Sequence, residues 1–269
     1  MDRFTLTGYE IQAAPEGQIL VLVAGNQTYK SILSRALPTL FMSRTFDDRY
    51  GRFEWGTYIH NADDNTRAQV EKLLKLFQKH IYIQDDLTET FALDYHTEMN
   101  PSGSYSRTEI GELVYRSKPY HRPVAQANYE RASDLSRHLV GFIQNHPTYS
   151  RAEIVIPVPP SQASKPFDLP TEVVRNITND LGMTNGSGIV RKVRATKPMK
   201  DCETSQEKIN NLRNAFAVSG EFDLHNREVL LVDDIYESGF TINEVGRVLF
   251  EAGAKSVLGL VATKTARDV

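Results

Sequence analysis

Short apolar runs at residues 154–158, 188–193, 229–232 and 257–261 are separated by stretches in which apolar residues recur at helical spacing. A strand that is apolar along its length has to be covered on both faces, because a half-exposed strand alternates apolar with polar. Such strands alternating with helices are the pattern of βαβ units that feed a parallel sheet. The helices are expected at 127–144, 171–181, 205–211 and 241–252. From about residue 108 onward the chain is therefore expected to form a doubly wound parallel α/β sheet, with its ligand site beyond the carboxyl ends of the strands.

The first hundred residues have a different texture and predict an α+β segment. Strands are expected at 4–11, 18–24 and 53–59, with Pro15, Glu16 and Gly17 turning between the first two. A helix is expected over 65–81, where Val70, Leu73, Leu74, Phe77 and Ile81 share one face. Turn-forming residues gather at 100–104 without an apolar anchor. The expected division is therefore an accessory, hood or interaction domain at 1–104 and a second domain at 105–269. The 269 residues are enough for two modest domains.

Composition excludes several classes. A net charge of -3 gives no bulk attraction to nucleic acid or an acidic membrane, and no apolar run approaches the ~20 residues of a membrane span. The first residues lack the apolar stretch of a signal peptide, so the expected location is cytoplasmic. Cys202 is the only cysteine, which leaves neither an internal disulfide nor a multi-cysteine zinc site. The seven histidines show no metal-ligand spacing.

One stretch carries chemistry. In VLLVDDIYESGFT, residues 229–241, a buried strand over 229–232 delivers Asp233 and Asp234 to its carboxyl end. The helix that follows puts Glu237, Ser238, Gly239, Phe240 and Thr241 at its amino terminus, where unpaired N–H groups and the helix dipole favour a phosphate. Adjacent carboxylates repel a phosphate and each other, but they accept hydrogen bonds from a sugar's vicinal hydroxyls. A phosphate close to a diol is a ribose 5-phosphate. The stretch IYIQDDLTET, 81–90, also pairs two aspartates after apolar residues; with no glycine behind them, it is expected to be a solvated turn.

This order of strand, acid pair and phosphate loop resembles the phosphoribosyl-pyrophosphate (PRPP) motif of the type I phosphoribosyltransferases. The resemblance implies ribose-hydroxyl binding by Asp233 and Asp234, and 5-phosphate binding by residues 237–241. Tyr236 stands where the family usually has an aliphatic residue. Glu237 stands where many members have a small or hydroxyl residue; it is either a general acid/base toward a nucleobase or a solvent-facing carboxylate.

Three further stretches resemble the ComF-like branch. IVIPVPPS, 154–161, is similar to that branch's pyrophosphate loop, which implies contacts along Pro159, Pro160 and Ser161 with Lys165 nearby; a stiff connector or a partner-binding extended segment is the alternative. Residues 191–216 look like the branch's mobile segment, with Lys197, Lys200 and Arg213 as its candidate cations. IGELVYRSKPY, 110–120, resembles the helix and following lysine that precede the core. The cysteine-rich zinc knuckle common in that branch is missing, so a competence role is not carried over.

What the resemblance implies is a transferase that displaces pyrophosphate from PRPP by a nitrogen nucleophile, a nucleobase. Mg2+ is expected as cofactor, carried by the substrate's phosphates and diol, with Asp233 and Asp234 reaching it through ribose or water. A homodimer is expected, and residues 1–104 are a candidate surface for a protein partner. The rival reading keeps the fold without the chemistry: a PRPP- or nucleotide-binding regulator, or a subunit of a nucleic-acid-processing complex. A nucleoside hydrolase-like effector is weaker, since it would leave the pyrophosphate loop idle.

Overall fold

A computed structural model describes residues 5–40, 42–46, 51–120, 122–160, 166–220 and 222–266, with the side chains of 43–46 and 200 left aside. The chain forms two compact units, one of residues 1–82 with 142–150 and one of residues 83–141 with 151–269.

In the first unit, β1 (Gly8–Ala14), β2 (Gln18–Ala24), β3 (Met42–Phe46) and β4 (Trp55–Ile59) make an antiparallel sheet in the order β1-β2-β4-β3. With it go α1 (Thr28–Ala36) and α2 (Asp64–Lys79). Asp63 caps α2 by accepting from Thr66 N, and Val70, Leu73, Leu74 and Phe77 form its buried face. This is the α+β arrangement expected for the front of the chain. The first expected strand begins four residues later than its apolar run suggests, and residues 1–4 lie outside the described part.

The chain passes into the second unit across β5 (Ile81–Ile83) and continues through β6 (Glu89–Tyr95), β7 (Thr97–Met99) and β8 (Tyr105–Arg107). Then come α3 (Glu109–Ser117), α4 (Gln126–Asn145), β9 (Ile154–Pro157), α5 (Leu169–Leu181) and β10 (Thr184–Asn185). They are followed by β11 (Val190–Lys192), α6 (Ser205–Leu212), β12 (Phe216–Val218), β13 (Glu228–Tyr236), α7 (Phe240–Glu251) and β14 (Ser256–Lys264). The main sheet runs β10-β9-β13-β14-β6-β5, with β10, β9, β13, β14 and β6 parallel. Residues 229–232 at its centre are fully buried, as a doubly covered strand requires. The doubly wound α/β fold of the type I phosphoribosyltransferases is the fold of this unit.

Three local expectations differ. The run at 188–193 does not enter the main sheet: it forms β11, paired antiparallel with β12, because Arg191 and Lys192 interrupt the run and cannot be covered on both faces. Residues 81–90 are a solvated turn only in part: Gln84 and Asp86 are exposed, but Asp85 is half-buried, Leu87 is buried, and β6, which follows, pairs with β14. The stretch 100–104 is the turn of the β7–β8 hairpin, where Asn100 Oδ1 accepts from the Ser102 and Ser104 amides, so compactness does not divide the chain there.

A candidate active site at the carboxyl end of the parallel sheet

Strand β13 extends beyond the expected 229–232 through the acid pair, held between β9 and β14: Val232 lies opposite Pro157 and Asp233 opposite Val261. Gly239 then turns with φ of +75° and α7 begins at Phe240, burying Ile242, Val245, Val248 and Leu249. A cavity of about 440 Å³ opens over this junction. Its walls include Asp233, Asp234 and all of residues 237–241, together with Pro159 and Pro160 at one edge and Met199 at another. The acid pair, the helix amino terminus and the proline loop therefore meet at one place.

The acid pair is not left bare. Lys118, at the C-cap of α3, places Nζ 2.9 Å from Asp234 Oδ2, and both side chains are mostly shielded. Burial works to discharge this lysine, but Asp234 and then Asp233 outweigh it and hold the ammonium above its ordinary value. Half-buried Asp233 is pushed well above the usual carboxylate range by burial first and by Asp234 second. Asp233 Oδ1 accepts from the Asp234 amide at 2.8 Å. The helix that carries Lys118 is fixed at its start by Thr108, whose Oγ1 accepts from Gly111 N and donates to Tyr95 O. A Cβ on Gly111 would stand 2.1 Å from His96 O, so α3 can approach the end of β6 this closely only with glycine there.

Behind the loop sits Tyr236, 9% exposed. A Cβ at Gly239 would meet its hydroxyl at 2.1 Å, so the ring forms the floor of the loop at 237–241. Burial and then Asp85 raise the phenol above its ordinary value. Asp85 itself is pushed up to about 6 by burial, against hydrogen bonds from Leu87 N and Thr90 Oγ1. Its Oδ2 has no partner at hydrogen-bond distance among the described residues, although the Tyr236 phenol acts on the carboxyl. Asp86 N donates to Asn243 on α7 at 3.4 Å. The aspartates of the 81–90 stretch thus buttress the loop.

Not every expected residue reaches the cavity. Glu237 lines it and is exposed. Lys197 and Arg213 are exposed and do not line the cavity. Asn211 ties Lys197 by accepting from its N and donating to its O, both at 2.9 Å. Ser161 and Lys165 lie outside the described residues, as does the side chain of Lys200. Residues 191–216 contribute Met199 to the wall and place Lys208 Nζ 5.9 Å from the Phe240 ring centroid. Asp168, which caps α5 through Thr171 N and Oγ1, is a further wall residue that no motif had marked. His96 is another residue near the site: its Nδ1 lies 3.2 Å from Thr263 Oγ1, which donates to Asp234 O. Lys118 is the lysine that the resemblance over 110–120 had marked without a role, whereas a lone histidine such as His96 gives no signal until β6 is seen to end beside β13.

With this geometry established, the class is plain. Residues 158–265, less than half of the chain, match the family model described as phosphoribosyl transferase domain. Over that span the chain is similar to the phosphoribosyltransferases, and its relative among curated proteins is of the ComF kind. It is 27% identical over 109 residues to competence protein F of Haemophilus influenzae, which covers 39% of this chain and 47% of that one. The chain thus aligns with about half the length of this relative. Solved structures that align with part of the chain include phosphoribosylpyrophosphate synthetase from Mycobacterium smegmatis, 20% identical over 50% of this chain and 34% of that chain, with a TM-score of 0.33. Another is glutamine PRPP amidotransferase from B. subtilis, 14% identical over 91% of this chain and 46% of that chain, with a TM-score of 0.39. No described helix is long and apolar enough to cross a membrane.

Proposed function

We propose that this protein transfers ribose 5-phosphate from PRPP to a ring nitrogen of a nucleobase and releases pyrophosphate. The observation that carries the reading is the single cavity in which an acid pair, an amide-lined helix start and a proline loop converge. The amides of 238–241 and the hydroxyls of Ser238 and Thr241 hold the 5-phosphate, fixing the sugar by a group remote from the reacting bond. Asp233 and Asp234 accept hydrogen bonds from the 2- and 3-hydroxyls and favour the positive charge that develops at the anomeric carbon. The pyrophosphate points to the edge made by Pro159 and Pro160, with Ser161 and Lys165 further along that loop. The acceptor nitrogen forms the new bond to the anomeric carbon as the bond to pyrophosphate oxygen breaks and the pyrophosphate leaves with the electron pair. Glu237, exposed on the cavity wall, takes the proton that the nitrogen loses. Lys197, Lys200 and Arg213 belong to a segment that closes over the leaving group.

No group of three or more histidine, cysteine or acidic side chains that would cage a metal occurs among the described residues. Two carboxylates beside a diol site suit Mg2+ that arrives on the substrate, reached through ribose or water by Asp233 and Asp234. Such an ion would neutralise charge on the departing pyrophosphate.

Pyrophosphate release from PRPP and Mg2+, assayed with a panel of nucleobases, tests the reading. A base that provokes release supports transfer, and Glu237→Gln should then lower kcat on the order of a hundredfold with a smaller change in KM. Saturable PRPP binding without turnover on any base would instead support a silent PRPP- or nucleotide-binding regulator. The resting Lys118–Asp234 ion pair favours that second reading, since it already engages half of the diol site. In that case residues 1–104, or the compact unit holding most of them, serve as the surface for a protein partner in a nucleic-acid-processing complex. A cytoplasmic homodimer is part of either proposal.

A further inference from the structure

An exposed aromatic cluster lies beside the cavity and outside the family match. Tyr115 on α3 and Tyr120 just after it are 39% and 56% exposed, with ring centroids 5.0 Å apart. Arg107, at the end of β8, places its guanidinium 3.6 Å from the Tyr115 ring centroid and so covers one side of the pair. Tyr120 is held at φ +48°, a left-handed conformation that a bulky residue adopts only where its surroundings over-determine it. Lys118, two residues before Tyr120, is a wall residue of the cavity. The cluster is therefore tied to the cavity wall through the chain at Lys118 and Pro119. Its electrostatics agree: Lys118, Tyr115, Arg107 and Asp234 all act on the partly buried Tyr120 phenol. On the same flank, Lys118, Arg107, Asp234 and Glu237 act on His96, whose burial holds the imidazole below its ordinary value.

We propose that Tyr115 and Tyr120, capped by Arg107 and flanked by His96, are the specificity-determining platform on which the planar heteroaromatic ring of the acceptor stacks. This rests on the transfer reading above and deepens it by locating the acceptor. An open aromatic face beside cationic groups suits a nucleobase: its π-face stacks on Tyr120, and its polar edge meets Arg107 and the imidazole. An aliphatic amine would gain little from such a surface. Glu237, to which the displaced proton is assigned, acts on His96 at the flank of the platform.

Binding is measured by calorimetry with Mg2+ present, comparing ribose 5-phosphate with the 5′-monophosphates of adenosine, guanosine, inosine, cytidine and uridine. Stacking on an aromatic side chain gives on the order of tenfold or more in affinity, so at least one nucleotide should bind the wild type at least that much tighter than ribose 5-phosphate. Tyr120→Ala should erase this gain while ribose 5-phosphate still binds as to the wild type, which shows that the variant is folded. Tyr120→Phe should keep the gain, and Tyr115→Ala should reduce it. Nucleotides that bind the wild type no tighter than ribose 5-phosphate, or a gain that survives both alanine variants, would overturn the platform and leave the sugar site standing. Failure of ribose 5-phosphate itself to bind would remove the underlying reading, and the platform with it.

Discussion

Asp85 shows how a single side chain is read differently by sequence and by structure. In IYIQDDLTET it looks like one more polar residue of a turn, because nothing local says that Leu87 and Thr90 will press the loop onto the sheet. In the fold, a Cβ at Gly259 would meet Thr90 Oγ1 at 2.5 Å and Leu87 Cδ1 at 2.9 Å, so glycine there is what admits the loop. Burial then raises the Asp85 carboxyl from 3.8 to about 6. Folding therefore strengthens its hold on a proton. The resulting stability is fully present below the unfolded value and is lost as pH rises through about 6, where the native state must carry a buried charge. Asp85→Asn keeps an acceptor for Leu87 N and Thr90 Oγ1 and removes that charge. Its stability advantage over the wild type should be near zero at about pH 4 and grow to roughly 2–3 kcal/mol at about pH 8. Urea denaturation of both proteins across that range measures the difference, and parallel curves would show that Asp85 carries no such burden.

At the scale of elements, the strand–loop–helix unit from β13 to α7 was legible because its chemistry is local. Four apolar residues, two carboxylates and a glycine before a helical face are consecutive in the chain, and the amides of the loop need no distant partner to point at an anion. What surrounds the unit was not legible. Tyr236 read only as a replacement of an aliphatic residue, yet it lies beneath the loop, and Lys118 reaches Asp234 only because α3 closes onto β6. Gly239 is where local and distant requirements meet. It sits at φ +75°, and a Cβ there would overlap Tyr236, with the hydroxyl at 2.1 Å and Cζ at 2.5 Å. Gly239→Ala should therefore displace the loop, costing about 1–3 kcal/mol of stability. Ribose 5-phosphate affinity should fall at least about tenfold, since loop amides moved by an ångström no longer converge on one phosphate. Adding Tyr236→Leu should relieve the overlap but not the backbone strain, so affinity should return only in part. Calorimetry on the three proteins decides; an unchanged affinity for Gly239→Ala would mean that the phosphate is held elsewhere.

For the whole molecule, the turn-rich stretch at 100–104 suggested a cut that the fold does not respect. A cluster of turn formers marks a change of direction, and a hairpin needs one as much as a domain boundary does. The division by compactness is discontinuous: residues 142–150 join the first unit, where the Phe142 ring lies 5.1 Å from His80 and the His146 ring 5.8 Å from Phe77. No pattern within a short window can announce a packing partner some sixty residues away. The consequence can be tested on the fragment of residues 105–269, which retains the PRPP motif and the whole span of the family match. It lacks β5 and β6, and β14 pairs with β6 from Leu258 opposite Glu89 to Lys264 opposite Tyr95. Without that strand a long apolar edge is left unpaired, a template for aggregation. The fragment also carries Phe142 and Tyr149, fully buried in the intact chain, without the residues of the first unit that surround them. Losing the burial of several such side chains, each worth roughly 1.5–3 kcal/mol, exceeds the margin by which a domain of this size is stable. Residues 105–269 should therefore show no cooperative thermal transition and no ribose 5-phosphate binding, while the full chain shows both. A soluble fragment that binds the sugar phosphate with wild-type affinity would mean that β6 lies on the domain without being part of its core.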